Sequence, residues 1–205
     1  KGEKTRLLTL SKLNVKQYKA DKLKQEDKLN PEQKTTRLLK EIQDALHLEK
    51  LPMDIECFDN SNIQGTDPVA ACVVFHKLKP NKKEYRKYNI KSVEGPDDYA
   101  SMREVVSRRY KRMIEEGSKL PDLIIADGGK GQMQAIRSVV ENELSLSIPI
   151  AGLVKDGRHR TSELIVGENN EVIGLKQNSS IFRLMTSIQD EVHRFAITFH
   201  RDKRS

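Results

Sequence analysis

The sequence of 205 residues contains no tryptophan, and aromatic residues make up only 5% of it. Hydrophobic residues account for 36% and charged residues for 33%, which predicts a modest core under a large charged surface. No apolar run approaches the roughly 18 to 20 residues of a membrane-spanning helix, and the first residues lack the apolar segment of a signal peptide. We therefore expect a soluble, cytoplasmic protein that has no membrane partner.

Cysteine is also scarce. Cys57 and Cys72 each lie inside a strand-like apolar segment, and neither belongs to a CxxC or Cys/His metal-binding pattern. We expect two buried free thiols, which excludes a disulfide-stabilised scaffold and a cysteine-ligated metal site.

Positive charge is in excess, because 37 Lys and Arg residues face 30 Asp and Glu residues, for a net charge of +7. This balance favours a polyanionic partner such as nucleic acid. One basic cluster runs from Lys77 to Lys91 with Tyr85 and Tyr88 among its lysines, and a second lies at 155–160. Solvated strand edges have similar patterns, but two clusters that flank a site favour nucleic acid. The residues that we predict to contact DNA are Lys87, Lys130, Arg158, His159, Arg160, Arg194, His200 and Arg201.

The hydrophobic pattern predicts two parts. Residues 1–50 have helical spacing with an interruption at Asn30-Pro31, and we interpret them as a helical arm. Residues 51–205 form the second predicted domain. It begins with three strands in an antiparallel meander, at Met53–Asp59, Val69–His76 and about Lys82–Ile90, with a turn at Lys79–Asn81.

Helices and strands then alternate. The pattern predicts helices at 99–116, at 132–144 and from the Ser179 cap onward, and strands at 123–126, 148–154, 163–166 and 172–175. A meander followed by β-α-β-α units gives an α/β fold, in which helices flank both faces of a mixed sheet.

Two carboxylates lie at the ends of predicted strands, where α/β sheets commonly have their active sites. Asp59 ends the first strand in IECFDNSNIQG, and Asp127 ends the apolar strand in LIIADGGKGQ. Clustered carboxylates bind hard divalent cations such as Mg²⁺ or Mn²⁺. Such a cation can activate a water molecule for the hydrolysis of a phosphodiester bond. Alternatively, both are simply turn residues, since Asp favours positions before Asn, Ser and Gly.

Two aspartates and a histidine have an ordinary structural explanation as well as a catalytic one. Asp97 and Asp98 stand at a helix start, where one is expected to cap the helix and the other is left available as a ligand. His193, in IQDEVHRFAITFHR, lies on an amphipathic helix, where histidine is usually structural or solvated.

Six segments carry a resemblance to a known family. In chain order they read IECFDNSNIQGTDPVA, EYRKYNIK, EGPDDYASMREVVSRRY, PDLIIADGGKGQ, LVKDGRHRTSEL and IQDEVHRFAITFHR. They resemble the successive motifs of the UvrC C-terminal endonuclease domain, nearly continuously over residues 50–205. Residues 1–50 are more weakly similar to the helical segment that precedes this domain.

The resemblance implies a ribonuclease H-like fold that makes the 5′ incision beside a DNA lesion in nucleotide excision repair. By motif it assigns catalysis to Asp59, Asp98, Asp127 and His193, and binding of Mg²⁺ or Mn²⁺ to Asp59, Asp127 and His193. Asp98 is left between the roles of ligand and helix cap. The implied partners are damaged double-stranded DNA, UvrB in the full-length protein, and UvrA indirectly. The 3′ incision is expected from a GIY-YIG module outside this chain.

Two other functions fit parts of the sequence. A non-catalytic nucleic-acid-binding module would bind DNA in a salt-sensitive way without cleaving it. A nucleotide-hydrolysing enzyme would use the GGKGQ loop and Lys130, but this loop lacks the GxxxxGK[ST] spacing.

Overall fold

The structure is a computed structural model that describes residues 2–61, 68–91, 97–158 and 161–202. For residues 26, 27, 61 and 199–202 it describes the backbone only. Its chain contacts divide it into two units, Lys1–Leu38 and Leu39–Ser205. The division predicted from the sequence, with an arm of residues 1–50 and a domain of residues 51–205, stays a prediction.

Two helices begin the chain, α1 at Gly2–Lys28 and α2 at Pro31–Ala45. Between them Asn30 and Gln33 form a capping box: Asn30 Oδ1 accepts the Gln33 N–H at 2.8 Å, and Gln33 Oε1 accepts the Asn30 N–H at 3.1 Å. Because these bonds satisfy amides that a new helix leaves free, they fix the start of α2. The predicted interruption at Asn30-Pro31 is confirmed.

A mixed sheet forms the centre of the second unit, with eight strands in the described part of the chain. In spatial order its main path is β3-β2-β1-β5-β6-β7-β8, and β4 also pairs with β2. The central strands β1, β5 and β6 are parallel, and the other pairs are antiparallel. The strands are β1 Asp54–Ser61, β2 Val69–His76, β3 Lys79–Pro80, β4 Arg86–Asn89, β5 Leu123–Asp127, β6 Ile150–Lys155, β7 Thr161–Val166 and β8 Glu171–Gly174.

The prediction of one strand over about Lys82–Ile90 is wrong. Lys82–Glu84 forms a turn of 3₁₀ helix, and only Arg86–Asn89 pairs as a strand. The predicted turn at Lys79–Asn81 is also wrong, because Lys79 and Pro80 pair with β2. The chain reverses just before this segment, at Lys77 and Leu78, whose φ angles of 48° and 63° lie in the left-handed region. Such a turn favours Asn and Gly, so a Lys-Leu pair did not indicate it.

Helices cover both faces of the sheet. They are α3 at Asp98–Glu115, α4 at Gly129–Arg137, continued by a π-helical segment at Ser138–Glu143, and α5 at Ser180–Asp202. The main apolar core lies between the sheet and α3 with α4. The predicted Ser179 cap of α5 is confirmed, since its hydroxyl accepts the Phe182 N–H at 3.1 Å. The predicted start of α4 at residue 132 is three residues late.

A buried ion pair joins β1 to α3. Glu56 and Arg109 are 3% and 6% exposed, and their two contacts are Nε to Oε1 at 2.7 Å and Nη2 to Oε2 at 2.8 Å. The Tyr110 hydroxyl donates a third hydrogen bond to Glu56 Oε1 at 2.8 Å. Both oxygens of this carboxylate therefore have partners with good geometry.

Cys57 and Cys72 are buried and free, as predicted. None of the helices in the described ranges combines the length and the apolar character that crossing a membrane requires.

Candidate active site

Asp59 and Asp127 lie side by side near the carboxyl ends of two central strands of the sheet, β1 and β5. β1 and β5 are parallel neighbours in which Phe58 is paired with Ala126, so the next residue on each strand is a carboxylate. Because side chains alternate along a strand, both carboxylates project to the face opposite Phe58 and Ala126, where α5 lies. Asp59 is 8% and Asp127 is 7% exposed.

A glycine turn brings the start of α4 directly behind Asp127. Gly128 and Gly129 have φ angles of +153° and +72°, and a Cβ on Gly128 would lie 2.5 Å from Gln132 Cγ. Only glycine adopts this path without strain. β5 is therefore followed directly by α4, and the Asp127 carboxylate lies at the carboxyl end of β5.

His193 crosses over the two carboxylates from α5. Its Nδ1 lies 2.9 Å from Asp59 Oδ2, and its Nε2 lies 2.8 Å from Asp127 Oδ2. One ligand atom from each of these three residues falls within 4.8 Å of the others. Lys155, at the end of β6, adds a second basic group, with Nζ 3.0 Å from His193 Nε2 and 3.9 Å from Asp127 Oδ1.

The electrostatics of the three residues are coupled. Burial raises the pKa of Asp59, and the nearby charge of Asp127 adds to this, while the contact with His193 opposes it. Burial would also raise the pKa of Asp127, but His193 and a hydrogen bond from Gln189 together lower it. Asp127 and Asp59 raise the pKa of His193 to about 9. In the metal-free protein His193 is therefore protonated at neutral pH and faces the ionised Asp127.

These residues fit a divalent cation. Asp127 Oδ2 is buried, and although it lies at ion-pair distance from His193, no donor in the described part of the chain is aligned to make a hydrogen bond with it. A buried carboxylate oxygen without an aligned donor is costly unless a cation is present. Two carboxylates and an imidazole also offer the oxygen and nitrogen donors that divalent metals bind.

Asp98 occupies a different position from the other three predicted catalytic residues. Asp97 is the helix cap, because its Oδ1 accepts the Ala100 N–H at 2.9 Å. Asp98 is the exposed first residue of α3, and its carbonyl oxygen accepts a hydrogen bond from Asn60 Nδ2 at 3.0 Å. It is thus tied to the residue after Asp59 but lies outside the three-residue cluster. Its catalytic role stays a prediction.

Four of the eight residues that we predict to contact DNA have side chains that the structure describes. Lys87 belongs to the row Asp59, Ala71, Lys87 across β1, β2 and β4, and its Nζ lies 4.8 Å from the centre of the Phe195 ring. Lys130 is exposed on the first turn of α4. Arg158 is exposed after β6.

Arg194 is exposed and forms an ion pair with Glu191 at 2.7 Å. His159 and Arg160 lie outside the described residues, and so do the side chains of His200 and Arg201. The DNA contacts all stay predictions.

The sequence did not single out three residues that touch the site. Gln189 is one helical turn before His193, a spacing that places both on one side of α5, and this could have indicated it. Lys155 was noted only as part of a basic cluster. Thr161, which contacts Gln189, had no signal in the sequence at all.

Known proteins resemble this chain over its whole length. The family model described as the UvrC RNAse H endonuclease domain matches residues 43–197. The UvrABC system protein C of Bacteroides thetaiotaomicron is 73% identical over 205 residues, which are 100% of this chain and 34% of that protein. The protein of the same name from Porphyromonas gingivalis is 51% identical over 207 residues, again 100% and 34%. The chain thus spans about a third of these relatives.

Similarity to solved structures is lower. A crystal structure of human ENDOV aligns at a TM-score of 0.44 with 8% identity, over 83% of this chain and 98% of that chain. An endonuclease V from Streptomyces avermitilis aligns at 0.35 with 15% identity, over 67% of each chain.

Proposed function

Because the chain belongs to the UvrC RNase H endonuclease domain family, we propose that it hydrolyses a phosphodiester bond of damaged DNA at Asp59, Asp127 and His193. The predicted ribonuclease H-like α/β fold agrees with this membership. The bond cleaved is the one on the 5′ side of the lesion, and Mg²⁺ or Mn²⁺ is required. The observation that carries the proposal is the group of three ligand atoms within 4.8 Å, one of them a buried carboxylate oxygen without an aligned donor.

Each site residue has a task that its position supports. Asp59 and Asp127 supply the oxygens that would hold the cation, and α5 supplies His193 as a third ligand or as the group that transfers a proton. When bound, the cation would neutralise charge on the scissile phosphate and favour hydroxide over water. Asp98 is proposed to supply a third carboxylate, and its backbone carbonyl oxygen accepts a hydrogen bond from Asn60 Nδ2.

The DNA path is proposed to run across the row of Asp59, Ala71 and Lys87. Adjacent strands lie about 4.8 Å apart, so Lys87 stands roughly 10 Å from Asp59 on the same face of the sheet. From this position its ammonium group would contact a phosphate beside the one that is cleaved. The other residues that we propose to contact DNA are Lys130, Arg158, His159, Arg160, Arg194, His200 and Arg201.

The setting of the reaction is proposed from the relatives. They are named as UvrABC system proteins and are about three times as long as this chain. We assign to the whole protein a place in nucleotide excision repair in the cytoplasm, with UvrB as its direct partner and UvrA as an indirect one. Choice of the lesion would then lie with these partners.

Nicking of supercoiled plasmid tests the proposal. The chain is expected to nick with Mn²⁺ or Mg²⁺, to stop when the metal is chelated, and to lose nicking in Asp59→Asn, Asp127→Asn and His193→Ala. Asp44→Asn is the matched control, because Asp44 is an exposed carboxylate on α2. Nicking that persists in Asp127→Asn would place the active site elsewhere, and DNA binding without nicking by the wild type would favour the non-catalytic binding module.

A further inference from the structure

A buried polar chain of three residues ends on the candidate active site. The Thr161 hydroxyl on β7 contacts Gln189 Oε1 on α5, and Gln189 Nε2 donates to Asp127 Oδ1 at 2.9 Å. Thr161 is 4% exposed and Gln189 is 5% exposed. Neither side chain has a place in the mechanism proposed above.

The chemistry of the three groups fixes the direction of both hydrogen bonds. An ionised carboxylate only accepts, so Gln189 must present its NH₂ group to Asp127. Its carbonyl oxygen then faces Thr161, whose hydroxyl is the group that donates to it. A glutamine that lacked this second bond could rotate its amide by 180° and turn its oxygen towards the carboxylate.

The two oxygens of Asp127 thereby acquire different environments. Oδ1 is occupied by Gln189, whereas the buried Oδ2 points towards His193 and has no aligned donor in the described residues. A carboxylate with one oxygen held in this way cannot rotate about its last bond without losing that hydrogen bond. Oδ2 is therefore kept in the direction of His193 and of the cluster with Asp59.

We propose that Gln189 is a positioning residue, oriented by Thr161, which aims Asp127 Oδ2 at the divalent cation and so sets the metal affinity of the site. The inference rests on the proposed function, because it needs the cation to bind at Asp59, Asp127 and His193. Partners that orient metal ligands commonly change metal affinity by about 10- to 100-fold when they are replaced.

The direct test is to titrate the metal-free chain with Mn²⁺ in the absence of DNA. The EPR signal of the unbound Mn²⁺ measures how much has bound. In Gln189→Met, which keeps the length of the side chain but loses the amide, the affinity should fall about 10- to 100-fold. Gln134→Met is the matched control, since Gln134 is an exposed residue on α4, and its affinity should equal that of the wild type. Unchanged Mn²⁺ affinity in a folded Gln189→Met chain would overturn the proposal.

Thr161 gives a second test that leaves Gln189 in place. Thr161→Val removes the hydroxyl and should weaken Mn²⁺ binding, whereas Thr161→Ser keeps the hydroxyl and should bind as the wild type does. Because Thr161 acts through Gln189, adding Thr161→Val to Gln189→Met should cause little further loss. Equal affinities in Thr161→Val and Thr161→Ser would contradict the proposal even if Gln189→Met failed to fold.

Nicking supplies a readout that damage to the fold alone would not give. A shortage of bound metal is overcome by more metal, so nicking by Gln189→Met should recover as Mn²⁺ rises. No recovery would contradict the assignment.

The wild type and Asp127→Asn separate the two ideas. If the wild type fails to bind Mn²⁺, or if Asp127→Asn binds it equally well, the proposed function fails and the inference fails with it. If both behave as expected while Gln189→Met matches the wild type, only the inference fails.

Discussion

The two faces of β1 present two buried carboxylates, Glu56 and Asp59, whose hydrogen-bond and charge partners differ. Glu56 projects towards α3, where both of its oxygens accept hydrogen bonds from Arg109 and one also accepts from Tyr110. Asp59, three residues later, projects to the other face, where its neighbours are His193 and a second carboxylate, Asp127. The strand thus carries one carboxylate with complete partners and one that shares its surroundings with another negative charge.

The difference between them separates a structural site from a reactive one. Glu56 faces one guanidinium in a closed, bidentate pair, so charge and geometry are both satisfied. The opposite face instead brings together Asp59, Asp127, His193 and Lys155 around a buried carboxylate oxygen that lies 2.8 Å from His193 Nε2 without an aligned hydrogen bond. Burial of two carboxylates in this way is unfavourable for the fold alone, which is typical of sites that bind a cation.

The largest effect is expected from opening the closed pair. Glu56→Gln leaves the Arg109 guanidinium buried without its counter-charge, so the free energy of unfolding should fall by about 3–5 kcal/mol. Glu116→Gln is the control, because its ion pair with Arg112 is exposed to solvent and should contribute little to the free energy of unfolding. Urea denaturation measures both. A loss in Glu56→Gln as small as in the control would mean that the buried pair does not stabilise the fold.

Metal binding should depend strongly on pH at the open site. The proton on His193, whose pKa is raised to about 9, competes with the cation. Affinity for Mn²⁺ should therefore rise about tenfold per pH unit from pH 6.5 to pH 8, with release of roughly one proton per ion. Calorimetry in buffers of different ionisation enthalpy measures both. His193→Ala should flatten the dependence, and an equally steep dependence in that variant would assign the proton to another group.

Asp59 should respond in the opposite way to Glu56. The folded-state pKa of Asp59 is raised above the ordinary value of 3.8, so the ionisation of Asp59 costs stability, and this cost appears as pH rises above 3.8. In the metal-free protein at pH 7, Asp59→Asn should leave the free energy of unfolding unchanged or raise it by up to about 1 kcal/mol. Urea denaturation with a chelator checks this. A loss near that of Glu56→Gln would remove the contrast between the two faces.

The smallest effect concerns the row that extends from Asp59 to the sheet edge. Lys87→Ala should weaken DNA binding by about 3- to 10-fold and lower the slope of log affinity against log salt by about 1, without changing Mn²⁺ affinity. Lys79→Ala is the control, since Lys79 is exposed and pairs with His76 at the other end of β2. A salt series by fluorescence anisotropy measures both variants. Equal losses in the two would show a general charge effect.

Much of the fold could be predicted from the sequence because its signals are local. The apolar run at 123–126, the cap at Ser179 and the break at Asn30 each depend on residues close in the chain. The edge around β3 and β4 could not be predicted, because the Lys77-Leu78 turn and the return of the chain to β2 depend on pairing across the sheet.

The candidate site divides in the same way. Strand-end positions pointed to Asp59 and Asp127, whereas His193 came only from the family resemblance, since a histidine on an amphipathic helix is usually structural. Gln189, Thr161 and the Glu56–Arg109 pair depend on contacts between residues 28 to 62 positions apart, which no periodicity records. A glutamate inside the apolar strand IECF was the one sign that a buried basic partner existed.

The most direct test of the contrast between the two faces of β1 is a crystal of the chain soaked in Mn²⁺, with the ion located by its anomalous scattering. The account predicts a peak in contact with Asp59, Asp127 and His193, and none beside Glu56. A strong peak elsewhere, with density that leaves Asp59 and Asp127 paired only to His193 and Lys155, would contradict it.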